Sequence, residues 1–322
     1  MITVERLRHG GIMANYRCTA ACRHCLYACS PDRSEGYISK PEAESIGKLL
    51  RDGGCRSAHI GGGEPFLDFE RLLELIRTVT RAGITVEYIE TNAFWAADEV
   101  QSRRYLKELK RSGADALCIS LDPFHAEYVS PQLPIRLAEI CNGTGFRFFL
   151  WQDKFTKMLS GIDKACSRAE LERLISPGYI LKTAQNYGLH MGGRAINIEA
   201  EYAAVKPAEN IINARPCRNL LSSGHFHVDL YGRFIPPGCT GIAIPLDEAV
   251  NGIPDGKYPV LEVLLSGGVA GLLAYAKNLG FRESSGYTSG CALCFHIRHW
   301  LSEHAECPEL FAEHYKESLK YY

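Results

Sequence analysis

The stretch NYRCTAACRHCLYACSP (residues 15–31) places Cys18, Cys22, Cys25 and Cys29 within twelve residues. Thiols at this density suit a metal centre, and the number used decides the chemistry. Four thiolates saturate a cubane cluster, as an electron carrier needs, whereas three leave one metal position open to a substrate. Bacterial ferredoxins use C-x2-C-x2-C-x3-C-P. Here the run is C-x3-C-x2-C-x3-C-S-P, so the first gap is one residue longer and no second run of that type follows. Structural zinc more often joins separated C-x2-4-C pairs than one dense loop.

A second set is spread along the chain: Cys217, Cys239, Cys291 and Cys294, with Cys307 as a fifth. Four thiolates from a hairpin and a later C-x2-C could hold an Fe–S cluster or a structural Zn(Cys)4 site, and spacing does not separate the two. His225, His227, His296 and His299 lie near this set in sequence. Strand alternation puts His225 and His227 on one face, which would allow a mixed Cys/His ligand set, while the expectation is ordinary polar surface.

Thirteen cysteines in 322 residues are not expected to form a disulfide framework if the compartment is the reducing cytoplasm. The expectation of that location rests on two readings. The N-terminus MITVERLRHGG lacks a basic-then-apolar signal layout, and no apolar run is expected to reach the ~18–20 residues of a membrane span. Cys118 and Cys141 sit in apolar stretches and read as core, while Cys55 and Cys166 carry no motif. A net charge of −1 gives no general attraction to nucleic acid or to anionic membranes.

The elements that must position these groups alternate. Strands are expected at 11–17, 57–62, 84–91, 116–122 and 146–152, with a sixth in LHMGGRAINI (189–198). Helical patterns lie near 40–52, 68–82, 98–112, 134–142 and 168–187. In FERLLELIRTVTRAG, Leu72, Leu75, Ile76 and Val79 recur at helical spacing before Gly83. Such alternation implies a parallel sheet covered by helices. Six units are too few for a closed eight-fold barrel, so an α/β partial (β/α)6 barrel or an open doubly wound sheet follows. Active groups then gather after the C-terminal strand ends, where the first cysteines and GGGEP (61–65) both fall. Beyond Pro207 the alternation stops. The expected division is a barrel at 1–205 and a small α+β, Cys-rich extension at 206–322, with a hairpin at DLYGRF and a helix near 258–279.

The C-x3-C-x2-C spacing of Cys18, Cys22 and Cys25 resembles the radical SAM enzymes. That resemblance implies a [4Fe–4S] cluster with one open iron, to which S-adenosyl-L-methionine binds. Reductive cleavage then gives a 5′-deoxyadenosyl radical that abstracts hydrogen. His24 matches a position, usually aromatic, beside the adenine. Gly62, Gly63, Glu64 and Pro65 resemble the family's Gly-Gly-Glu-Pro segment, which receives the methionine ammonium group. Thr91 and Asn92 in ETNA resemble its Thr-Asn-Gly segment, with Ala93 in place of Gly. Ser120 and Asp122 in SLDPFH resemble its Ser-Leu-Asp segment and are ribose or substrate contacts, or helix caps. Arg194 in GGRA resembles a late Gly-Arg-Ala segment and faces a carboxylate or forms a surface ion pair; Arg147 is a further carboxylate partner.

The later cysteines resemble a SPASM or shorter twitch extension, which implies a second [4Fe–4S] cluster, with zinc as the alternative. Such extensions accompany peptide-modifying enzymes, so the expected substrate is a peptide and the alternative a small molecule of cofactor or natural-product biosynthesis. With seventeen residues before Cys18, no separate peptide-recognition domain is expected at that end. A reducing partner such as flavodoxin or ferredoxin is implied. The different-class alternative is a non-catalytic Fe–S carrier or a zinc-stapled binding protein. Cys29 is expected to be a loop thiol rather than a ligand.

Overall fold

The structure is a computed structural model that describes residues 2–34, 36–190 and 192–319. Five strands follow the β-branched, apolar runs of the first half: β1 (His9–Met13), β2 (Ser57–Gly61), β3 (Thr85–Thr91), β4 (Ala116–Ser120) and β5 (Arg147–Trp151). Each pairs in parallel with the next, as crossover helices require. Those helices are capped by their own sequence. Ser39 and Glu42 form a capping box on Lys40–Asp52, Asp68 caps Phe69–Arg81, and Asp98 caps Glu99–Ser112. Helix Phe69–Arg81 buries Phe69, Leu72, Leu73, Leu75, Ile76 and Val79, at roughly 1.5–3 kcal/mol for each large side chain.

The sixth parallel strand is not in 189–198, which corrects the expectation: Ala195–Glu199 is a helix and Met191 lies outside the described residues. It is β6 (Phe226–Val228), which returns to pair with the free edge of β1. Gly10 makes this approach feasible, because a Cβ there would come within 2.5 Å of the Phe226 ring. β7 (Arg233–Ile235) and β8 (Ile244–Pro245) follow antiparallel, β7 forming with β6 the hairpin expected at DLYGRF. The sheet order is β5-β4-β3-β2-β1-β6-β7-β8. The result is an α/β partial barrel of six parallel strands with an antiparallel extension on the same sheet.

Two helices depart from their periodicity. The run 168–187 splits into Arg168–Leu174 and Tyr179–Tyr187, because Pro177 and left-handed Gly178 (φ 68°) end one and start the other. Helix Pro259–Asn278 is long and apolar enough by length and composition to cross a membrane, contrary to the expectation. It nevertheless bends at Gly268 (φ 58°) and buries Val260, Leu261, Leu264, Leu272 and Leu273 in the core.

Candidate active site

β1 aims the chain into a loop whose two ends are pinched together. Cys18 N donates to Ser30 O (3.0 Å), and tight turns inside it run from Cys25 N to Cys22 O (3.0 Å) and from Ala28 N to Cys25 O (3.3 Å). This closure turns Cys18, Cys22, Cys25 and Cys29 toward one cavity of about 400 Å3. The Gly62–Glu64 loop, Thr91 and Asn92, and Ser120 line the same cavity from the ends of β2, β3 and β4. All thirteen cysteines are free thiols.

The glycines of GGGEP have a packing reason. Gly63 N donates to Asn15 O (2.8 Å) and Glu64 N to Arg17 O (2.9 Å), which stitches this loop to the start of the cysteine loop. A Cβ on Gly63 would overlap the Arg17 carbonyl, and Gly62 sits at φ 133°. The buried Glu64 carboxylate accepts from Phe66 N (3.1 Å), Thr91 Oγ1 (3.0 Å) and Asn92 N (2.8 Å). Burial pushes it up to about 7 against those bonds. Pro65 starts the short helix Pro65–Leu67 and does not line the cavity. Asn92 Nδ2 donates to Thr19 Oγ1 (2.9 Å) and reaches Cys18 Sγ (3.7 Å). Ala93 takes φ 64°, the left-handed conformation that explains glycine in the resembled segment.

His24 stacks on Phe124 (4.8 Å between centroids) and shares a hydrogen bond with the Tyr187 hydroxyl (3.0 Å). Burial lowers it to about 3, so its ring is neutral. Asp122 is a buried helix cap: Oδ1 accepts from Phe124 N (2.9 Å) and His125 N (3.1 Å), and Oδ2 pairs with His125 Nδ1 (2.7 Å). Burial opposes charge on His125, yet Asp122 and Cys22 raise it well above its ordinary value.

Arg194 corrects the expectation of a surface ion pair. It is fully buried behind the loop, with Nε donating to Cys22 O (3.0 Å) and a guanidinium nitrogen to Cys29 O (2.6 Å). Its backbone N donates to Cys25 O (3.1 Å), and a Cβ on Gly193 (φ 53°) would overlap the Leu26 carbonyl. Arg147 pairs with Asp115 on the exposed surface (2.5 Å), away from the cavity.

The loop's chemistry suits an iron–sulfur cluster. Ala20 N donates to Cys18 Sγ (3.4 Å) and Cys29 N to Cys25 Sγ (3.3 Å). The Cys29 thiol also donates to the Cys25 sulfur and, with the Arg194 charge near, brings Cys25 down to about 5. A thiolate is the form that ligates metal.

The second set also converges. Cys217 begins the turn Arg218–Leu221, Cys239 follows β7, and Cys291 and Cys294 share the first turn of helix Gly290–His304. The charges of Cys217, Cys291 and Cys294 all act on Cys239, although burial is the main reason it rises to about 11. Buried Arg298 donates to Thr240 O (2.7 Å) and the Tyr315 hydroxyl (2.8 Å), and its charge interacts with Cys239 and Cys294. Cys307 stands instead with Glu309 and Tyr275. His296 meets Tyr287 and His299 meets Tyr315.

His225 is exposed, as expected, but His227 on β6 is buried, and both line the first cavity rather than standing beside this set. Glu90, His125, Tyr187 and Trp151 also line that cavity, and His59 packs against His225 and His227; the sequence singled out none of the five. For His59, Glu90 and Trp151 the signal, a polar or aromatic residue at or near the end of an apolar strand, is present in HIGGGE, YIET and FFLWQ; His125 and Tyr187 lie on helices and carry no such signal.

Residues 13–151 match the family model of the radical SAM superfamily. The chain is 27% identical over 113 residues to YydG, a Bacillus subtilis (strain 168) protein named for peptide biosynthesis. That match spans 35% of this chain and about a third (35%) of the relative's length. Among solved structures it is similar to Streptococcus suis SuiB, at 16% identity over 82% of this chain and 67% of that one, TM-score 0.44. It is also similar to anSMEcpe with bound AdoMet, at 16% identity over 97% and 95% of the two chains, TM-score 0.42.

Proposed function

We propose that the chain is a radical SAM enzyme, on the match of residues 13–151 to that family's model, and that it modifies a peptide by hydrogen abstraction. The family implies a [4Fe–4S] cluster and S-adenosylmethionine, which together supply one-electron cleavage of the sulfonium and a hydrogen-abstracting radical. Cys18, Cys22 and Cys25 would hold the cluster. The observation that carries this is the convergence of those three thiols with the ends of β2, β3 and β4 on one cavity.

The chain's own residues divide the remaining work. Gly62 and Gly63 bring backbone to the cavity edge, and Glu64 holds Thr91 and Asn92 in place. Asn92 ties that strand end to Thr19 of the cysteine loop. His24, neutral and stacked on Phe124, offers an uncharged aromatic face where the family places adenine. Ser120 lines the cavity and is a ribose or substrate contact; Asp122 acts one step back by fixing His125. Arg194 holds the loop carbonyls and positions the ligands.

A peptide substrate is supported by the name of the relative YydG and by aromatic side chains at the cavity rim. Trp151 is 47% exposed and lines the cavity, and Phe149 (42% exposed) meets Tyr88 edge-on (5.1 Å). Such faces take apolar peptide side chains. In the 206–322 portion, Cys217, Cys239, Cys291 and Cys294 would bind an auxiliary [4Fe–4S] cluster, with zinc the competing metal. A flavodoxin or ferredoxin would deliver electrons, and the cytoplasm is the compartment that suits free thiols.

The test is anaerobic reconstitution followed by dithionite and S-adenosylmethionine. Wild type should yield 5′-deoxyadenosine and Cys22→Ala only background; equal output from both would overturn the reading.

A further inference from the structure

Three histidines from distant parts of the chain meet on the inner wall of the sheet. In the register of three adjacent parallel strands, His59 of β2, Gly11 of β1 and His227 of β6 stand in one row. Residues level with one another in a parallel sheet face the same side, so the two imidazoles flank the glycine. Gly11 is what lets them meet. A Cβ there would overlap both rings, lying 2.7 Å from His227 Nε2. With no side chain between them, His59 Nε2 and His227 Nε2 are 3.2 Å apart. His225, two residues before His227 and so on the same face, stacks on His59 (5.1 Å, 14°). One ring nitrogen from each of the three lies within 4.8 Å of the others.

We propose that His59, His225 and His227 bind a divalent transition-metal ion of the zinc type, with a coordination position left open to the cavity. Two nitrogens on a tetrahedral ion at ~2.0–2.1 Å stand roughly 3.3 Å apart, which matches the His59–His227 separation. Imidazole ligates in its neutral form. Burial lowers His59 to about 3 and takes His227 well below its ordinary value, while burial and His190 lower His225. Glu90 approaches from β3: its carboxylate lies against Gly61 and 3.8 Å from His59 Nε2. Burial, with Glu64 adding to it, raises Glu90 to about 7. Three neutral nitrogens and a neighbouring carboxylate are a donor set for zinc or ferrous iron.

His225 and His227 line the cavity of the first cysteines, and buried His59 packs against both rings. An open metal position there would take an oxygen ligand, such as a carbonyl or carboxylate of the substrate, and orient it. This site uses none of the thirteen thiols and stands independently of the reading of the cysteine loop.

The probe is Co2+, titrated into the full chain after reconstitution of its clusters and passage over a chelating resin, without S-adenosylmethionine. The expected result is one equivalent bound, with visible d–d absorption and no thiolate-to-cobalt charge transfer. His225→Gln and His227→Gln should each weaken binding by at least the 10–100-fold typical of losing a mere supporting partner. His225 is exposed, so loss of binding in its variant cannot be assigned to a collapsed core. Cys291→Ala/Cys294→Ala should leave the band unchanged. Failure of the wild type to retain cobalt, a thiolate charge-transfer band alone, or a histidine-type band that survives His225→Gln would each overturn the site. Because the readout involves no S-adenosylmethionine cleavage, its failure and that of the radical chemistry are told apart.

Discussion

The two cysteine regions are built on opposite plans. In the first, a single loop supplies every thiol, its ends closed by the Cys18–Ser30 bond and its back held by Arg194. Its front is left to a cavity. In the second, the thiols come from three separate places, the turn at Cys217, the end of β7 and the first turn of Gly290–His304, with Arg298 buried among them. A loop can present sulfurs from one side and leave the other side of a metal free. Segments converging from three directions can enclose it more fully, although Cys291 is exposed. On the proposed reading, position in the fold, more than the number of cysteines, would separate a centre open to substrate from a closed one.

The largest effects should come from removing ligands, and they should be of different kinds. Cys22→Ala is expected to abolish S-adenosylmethionine cleavage. Cys291→Ala/Cys294→Ala should lower iron content by roughly half, as loss of one of two [4Fe–4S] clusters requires. If zinc occupies the second site, that variant loses zinc instead. Retention of wild-type iron and zinc together would remove the second centre from the comparison.

Next in size are the two buried arginines. Arg298→Leu strips a buried cation from the neighbourhood of buried Cys294 and from the Thr240 carbonyl, at a cost of about 3–5 kcal/mol. Arg194→Leu leaves the Cys22 and Cys29 carbonyls without these donors, at about 1–3 kcal/mol for each. Denaturant unfolding measures both. The distinguishing readout is cleavage of S-adenosylmethionine, which should fall in Arg194→Leu beyond what its stability loss explains and hold in Arg298→Leu. The reverse pattern would mean that the clamps have been assigned to the wrong regions.

Smaller again is Gly63→Ala, which forces the Gly62–Glu64 loop off Arg17 and should cost about 1–3 kcal/mol, with a raised KM for S-adenosylmethionine. Gly161→Ala meets nothing within 4 Å and should stay within about 0.5 kcal/mol. Equal melting temperatures for the two variants would show that the close approach at Gly63 does not matter.

What was legible in sequence follows from the range of the interactions involved. The five strands of the first half and the helices at 40–52, 69–81 and 99–112 carry their periodicity and caps locally. The order of C-x3-C-x2-C, GGGEP and ETNA likewise reports three successive strand ends. β6 was not legible as a partner of β1, because that pairing depends on Gly10 making room for Phe226 across more than two hundred residues. The same register hid the meeting of His59 with His227. Residues 189–198 contain strand-like apolar letters, but the Gly192–Arg194 turn is held against the cysteine loop by contacts that no window of sequence contains. Arg194 was found by its motif and misread in direction for the same reason.

The finest distinction lies within the first loop, at Cys29. It is buried, lines the cavity with the other three, and its thiol bonds the Cys25 sulfur. Four sulfurs therefore face one space, and proximity alone would allow all four to saturate a cluster. The hydrogen bond argues for a different division: Cys25 falls to about 5, while the Cys29 thiol, donating to it and buried, rises well above its ordinary value. On this division Cys25 would be the ligand of the pair and Cys29 the donor to it. A serine hydroxyl can make the same donation. Cys29→Ser should accordingly keep its iron and its 5′-deoxyadenosine yield within about twofold of wild type, with stability changed by about 1 kcal/mol or less. Loss of the first cluster in that variant would make Cys29 a fourth ligand, and the first region would then be as closed as the second.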